Sequence, residues 1–218
     1  MNVKALALTG VASFIVAGSA QAAFTGVTAD LVDSSGGLNT WRLFAIFDDP
    51  TDQILAVSGT QAMPLDFSTS SVGGLVNDGG AFTGLKQEDF AAFPLTGARD
   101  PYLTLGITTF AGQYTDYSRS FLNNDGVTSV LVNGLTAFTD DNDGWFDSNP
   151  GSPNTGTSIL IAQFTVGSDN GGNIALSGNV DWQNPDLTSN TFSINTAPAP
   201  GALALLGLAG LAGSRRRR

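Results

Sequence analysis

The sequence predicts an all-β protein, a single antiparallel β-sandwich of immunoglobulin-like or jelly-roll type, and three observations predict it. Apolar runs of strand length recur along the chain, from "AFTGVTADLVD" to "TFSIN", and Gly, Asn, Asp, Ser and Pro fill nearly every gap between them. Charged residues make up only 13% of the chain, whereas surface helices normally carry Lys, Glu and Arg on their exposed face. Of the 19 acids, 18 are Asp and only Glu88 is Glu, and Asp favours turns while being depleted from helix interiors and strands. A length of 218 residues with 42% hydrophobic content suits one domain with a real core.

Taken in order, the chain starts with "MNVKALALTGVASFIVAGSAQA", which places one charge at Lys4, an apolar run from Ala5 to Ala17 and a small-x-small site at Ala20-Gln21-Ala22. This is the layout of a secretory signal peptide over residues 1–22, cleaved before Ala23. The body, residues 23–196, follows. In "NTWRLFAIFDDPTDQILAVSG", Trp41 to Phe47 and Gln53 to Val57 flank the turn-rich "DDPTD", which predicts a β-hairpin partly buried on both faces. Further strands are expected at "AFTGVTADLVD", "YLTLGITTF", "TSVLVNGLTAF", "SILIAQFTV", "NIALSGNVDW" and "TFSIN". One stretch breaks the rhythm: Leu85, Phe90 and Phe93 fall about a helical period apart and run into Pro94, which predicts a short helix over 85–93 with Thr83 as its cap.

Composition excludes several kinds of chemistry. The chain has no Cys and no His, so disulfides, His-based acid–base catalysis, Ser-His-Asp and Cys-His nucleophiles and nearly all zinc sites are ruled out. Once the leader and the final arginines are set aside, the body keeps Arg42, Lys86, Arg99 and Arg119 against all 19 acids, a balance of −15. Such a body repels nucleic acid and anionic membrane surfaces. Carboxylate pairs could serve a glycosidase, but with 18 Asp the sequence singles out no pair, and we assign no catalytic residue.

The most chemical-looking segment is "TDDNDGWFDSNPG", Thr139 to Gly151, which gathers Asp140, Asp141, Asp143 and Asp147 around Trp145. Hard oxygen ligands at alternate positions suit calcium. Setting Gly144 at the sixth position of a twelve-residue calcium loop puts Asp141, Asp143 and Asp147 at the third, fifth and ninth. Thr139 and Pro150 then occupy the first and twelfth, so the segment is not an EF-hand loop, and Asp141, Asp143 and Asp147 stand as candidate ligands of a looser calcium site. Trp145, with Trp182 and Tyr102, is also a candidate for stacking on the sugar rings of an extracellular polysaccharide.

The chain closes on "APAPGALALLGLAGLAGSRRRR", Ala197 to Arg218. Its apolar run from Gly201 to Gly213 would span about 20 Å as a helix, short of the ~30 Å hydrocarbon core, and Arg215, Arg216, Arg217 and Arg218 form a stop-transfer block. Pro198-Ala199-Pro200, the Gly/Ala/Leu run and the arginine cluster together resemble a PEP-CTERM sorting signal, with Ala199 where that family usually has Glu. The resemblance is confined to the last 22 residues. It implies transient insertion of the C-terminal hydrophobic helix in the inner membrane, recognition by an exosortase-type processing enzyme, and delivery to the cell surface or a polysaccharide-rich matrix. The whole chain is thus expected to be an exported surface or matrix protein with a structural or adhesive role. A carbohydrate-binding module, calcium-assisted, is the alternative, and no enzymatic role is expected.

Overall fold

The computed structural model describes residues 23–76, 99, 101–106, 115–117, 131, 133–147 and 153–197. The leader with Ala20 and Ala22, the helix expected over 85–93, and the tail with Pro198, Ala199, Pro200 and Arg215 to Arg218 lie outside the described residues.

The described chain is all-β, in two antiparallel sheets, an arrangement consistent with the expected sandwich. The first sheet has the order β1-β2-β10-β5, from Phe24–Ser35, Leu38–Phe47, Ser158–Gly167 and Tyr102–Leu103. The second runs β6-β8-β3-β11-β4-β7, from Thr115–Tyr117, Gly144–Asp147, Gln53–Ser58, Ile174–Gln183, Leu65–Thr69 and Ala137–Asp140. To these, β9 (Asn154–Thr155) adds on β3 and β12 (Leu187–Asn195) adds on β11. A single 3₁₀ turn, Asp169–Gly171, joins β10 to β11.

The first hairpin is the one between β1 and β2. Ser35 pairs with Leu38 across Gly36-Gly37, whose φ values of 59° and 79° meet the positive-φ demand that a two-residue hairpin turn makes at both central positions. The hairpin expected between Trp41–Phe47 and Gln53–Val57 does not form, because β2 and β3 belong to different sheets. Both edges of β2 are taken, one by β1 and the other by β10, so β3 has no edge left to join. "DDPTD" is instead a corner between sheets. Asp49 folds it by accepting hydrogen bonds from the Thr51 N–H at 2.8 Å and the Thr51 hydroxyl at 2.6 Å.

Strand β11 organises the second sheet. One edge pairs with β12 from Ala175 to Gln183, and the other is shared end to end by β4, opposite Ile174–Ser177, and β3, opposite Asn179–Gln183. The sheets pack face to face through aromatic pairs: Phe164 on Phe67 with centroids 4.7 Å apart, and Phe47 on Trp182 at 5.7 Å. Around them Leu43, Ile54, Val57, Leu65, Ile161 and Val180 are fully buried. Strand β10 is buried from Ile159 to Val166, which is why "SILIAQFTV" reads as a continuous apolar run rather than an alternation. Its polar members are matched. Thr165 and Thr40 share a hydroxyl bond at 2.9 Å, and Gln163 accepts from Arg42 Nε at 2.8 Å.

Candidate functional site

The acidic segment sits at the junction of β7 and β8. Strand β7 ends at Asp140, residues 141–143 turn, and β8 begins at Gly144. Asp140 starts the turn by accepting from the Asn142 N–H at 3.1 Å, the usual turn role of Asp. The Gly59 N–H donates to the Asp143 carbonyl at 2.8 Å and ties the turn to the end of β3. Gly144 makes this approach possible. A Cβ there would drive into the Val57 carbonyl oxygen and stand 2.7 Å from Ser58 Cα.

The turn walls an open groove of about 470 Å³ with Gln61, Pro64 and Thr139 on its rim and Asp140, Asp141, Asn142 and Asp143 along it. Partial burial, reinforced by the neighbouring Asp143 carboxylate, raises the Asp140 pKa above the ordinary aspartate value, while the Asn142 N–H opposes that shift. The groove is therefore a surface of acceptor oxygens on which one proton is held more tightly than usual.

The sequence-derived calcium set does not converge. Asp141 is exposed at the tip of the turn, Asp143 is buried beneath it, and Asp147 lies at the far end of β8. Asp143 and Asp147 are four steps apart along extended chain, about 13 Å at ~3.3 Å per residue, whereas calcium ligands stand 2.3–2.6 Å from one ion. Among the described residues no three acidic side chains are grouped to hold a metal. Asp147 is instead engaged with Asn154, whose Nδ2 donates to its Oδ2 at 3.1 Å.

Trp145 likewise is not a sugar platform. Its side chain is 0% exposed, and its Nε1–H donates to the Thr104 carbonyl at 3.1 Å, so the indole is a core residue with its one polar atom satisfied. The segment alternates as a strand must, and Phe146 takes the outward position, 39% exposed. Trp182 and Tyr102 are buried as well, each 4% exposed.

A second groove, about 260 Å³, opens at the edge where β1 meets the β11–β12 hairpin, lined by Ala23, Phe24, Trp182, Asn184, Asp186, Thr188 and Asn190. Trp182 Nε1–H donates to Asn190 Oδ1 at 2.8 Å, which fixes that amide over the indole edge. The predicted cleavage point Ala23 lies on its rim, with its N–H donating to Asp48 Oδ1 at 2.5 Å. Asn184, Asp186 and Thr188 offer both donors and acceptors, the chemistry that recognises hydroxyl-rich ligands. Asn184 also reaches inward, its Nδ2 donating to Asp52 Oδ1 at 2.7 Å and to Thr51 Oγ1 at 2.9 Å.

Sequence reasoning passed over Asp52 and Asn154. Asp52 read as the end of a turn and Asn154 as a residue of the loop "DSNPGSPNTG". Both are buried, and an aspartate followed at once by a core strand, Asp52 before Ile54, is the signal that could have marked the first. Among the described residues no helix is long and apolar enough to cross a membrane. Comparison with known protein families, curated proteins and solved structures finds no match to this chain.

Proposed function

We propose that this chain is an exported cell-surface or extracellular-matrix protein whose β-sandwich body, of immunoglobulin-like or jelly-roll type, has a structural or adhesive role. It reaches its destination through a PEP-CTERM-like tail handled by an exosortase-type enzyme. The observation that carries this reading is the order Pro198-Ala199-Pro200, apolar run, Arg215 to Arg218, coupled to a leader of export type at residues 1–22. The body supports it in kind. It is held by an apolar core between two sheets with no Cys to depend on, and its surface grooves are open and polar. A fusion tests the reading: residues 197–218 attached to an exported reporter in the native host are expected to send it to the surface fraction. Replacing Arg215 to Arg218 with Gln is expected to divert it to the medium. Surface delivery unaffected by the replacement would count against the sorting role.

A second reading, a carbohydrate-binding module, is favoured by one feature, the groove in which Asn184, Asp186, Thr188 and Asn190 surround the buried Trp182 edge. It locates sugar recognition there rather than on Trp145. Retention of the body on extracellular polysaccharide, lost in an Asp186→Ala/Asn190→Ala variant, would favour this reading; no retention would leave the structural one.

A further inference from the structure

Ala23 is gripped at both of its backbone polar atoms by one residue 25 positions further on. Its N–H donates to Asp48 Oδ1 at 2.5 Å, and its carbonyl accepts from the Asp48 N–H at 3.2 Å. The grip falls where β1 needs one. Pairing of β1 with β2 is irregular between Phe24 and Gly26, so the start of the strand is held by Phe24 opposite Phe47, with rings edge to face at 5.6 Å, and by the Thr25 hydroxyl on the Ile46 carbonyl at 3.1 Å. Chain ends fray unless such contacts tie them down.

The Ala23 nitrogen is also the atom that leader removal changes. Hydrolysis of the Ala22–Ala23 amide by a leader peptidase adds one water across the bond, leaving a carboxylate on Ala22 and an amine on Ala23 that is largely protonated at neutral pH. Before cleavage this nitrogen is a neutral amide with a single N–H. After cleavage the same atom, against the same Asp48 oxygen, is an ammonium with three donors, and a charge-assisted bond of that kind is about twice as strong as a neutral one.

The surroundings favour the cation. The ionisable side chains of the described elements that meet here are Asp48, Asp49 and Asp52 in the corner after β2 and Asp186 in the turn between β11 and β12, all of them acidic. Asp181, on β11, accepts from the Ser58 hydroxyl at 3.2 Å. Farther along the β1–β2 pair, Asp30 stands opposite Arg42, whose Nε serves Gln163, and Asp33 is paired with Arg99 at 2.7 Å.

We infer that leader removal builds an ion pair between the new α-ammonium of Ala23 and the Asp48 carboxylate, a latch that fixes the start of β1 in the processed chain. The inference rests on the reading of residues 1–22 as a leader. Ala23 and Phe24 line the groove that they share with Trp182, Asn184 and Asp186, so the latch ties processing to the shape of that groove. Pairing raises the pKa of the amine in the folded chain above its unfolded value. The contribution is therefore complete below about pH 7.7 and is lost as pH rises through the folded value.

The test compares two chains. One runs from Ala23 to Arg218, released from a cleavable fusion; the other is extended by Ala20-Gln21-Ala22, which keeps the Ala23 N–H and moves the charge three residues away. Titration of the Ala23 methyl resonance by NMR is expected to place the α-amine of the first chain about half a unit above its ordinary value of ~7.7–8.0. Asp48→Asn, at an exposed position, is expected to return it to that value, and Asp30→Asn, exposed on β1, to leave it raised. In thermal melts near neutral pH, Asp48→Asn is expected to lower Tm in the chain from Ala23 by at least about twice as much as in the extended chain, where only a neutral bond is at stake. An amine at its ordinary pKa in the chain from Ala23, a raised one that survives Asp48→Asn, or an equal effect of Asp48→Asn on both chains would each overturn the latch. None of these outcomes depends on where cleavage falls in the cell: a native mature protein that begins elsewhere than at Ala23 overturns the leader reading instead.

Discussion

Replacing Trp145 with Ala separates a core role from a binding role. The indole is fully buried and donates to the Thr104 carbonyl, so truncation removes both apolar contact and that hydrogen bond. Burial of about 200 Å² at ~25 cal/mol/Å² gives roughly 5 kcal/mol, an upper figure because the unfolded chain already hides part of that surface. Truncations of this kind cost about 3–5 kcal/mol in practice. Against a total stability of about 5–15 kcal/mol, that is a large share. Trp145→Phe restores most of the volume but not the N–H, and is expected to cost about 1 kcal/mol for the lost hydrogen bond. Urea unfolding followed by far-UV circular dichroism measures both through the midpoint at constant m-value. A Trp145→Ala protein within about 1 kcal/mol of wild type would refute the placement of this side chain in the core, and would reopen it as a ligand-stacking residue.

Other perturbations follow from the same geometry. Gly144→Ala forces a Cβ into the Val57 backbone and is expected to cost about 1–3 kcal/mol or more in urea unfolding, while Gly73→Ala, whose Cβ would meet only Ser71 Oγ at 3.7 Å, is expected to stay within about 0.5 kcal/mol. Asp140 has a raised folded pKa, so the folded chain binds this proton more tightly than the unfolded one, and the group's contribution falls as pH rises from about 3.9 through the folded value. Asp140→Asn is expected to raise the urea midpoint at pH 7 and to leave it unchanged near pH 3. Asp169 is the opposite case: the Ser71 hydroxyl at 2.6 Å and the Val72 N–H at 2.7 Å hold its pKa below the ordinary value. Its contribution is present above about pH 4 and lost as pH falls through the folded value, so Ser71→Ala is expected to destabilise at pH 7 and to have a smaller effect near pH 2.

Strand identity was legible where burial is one-sided or continuous. "SILIAQFTV", "NIALSGNVDW" and "AFTGVTADLVD" match β10, β11 and β1 because their side chains alternate or run apolar as sheet packing requires. Strand partnership was not. "DDPTD" carries the same residues whether it closes a hairpin or turns a corner, and only the occupation of both β2 edges decides between them. The acidic segment misled for a related reason. Its Asp spacing matches calcium ligands, but Trp145 and Gly144 belong to a strand pressed against β3, and strand geometry pulls Asp143 and Asp147 apart. Asp52 and Asn154 lie 102 positions apart in sequence, and only the β3–β9 pairing makes them neighbours.

Export and sorting of this chain are tested most directly by the intact mass of the mature protein isolated from its native host. A species beginning at Ala23 and ending near Pro198–Pro200 is the predicted result. A surface-located protein that still begins at Met1, or still ends in Arg218, would contradict it.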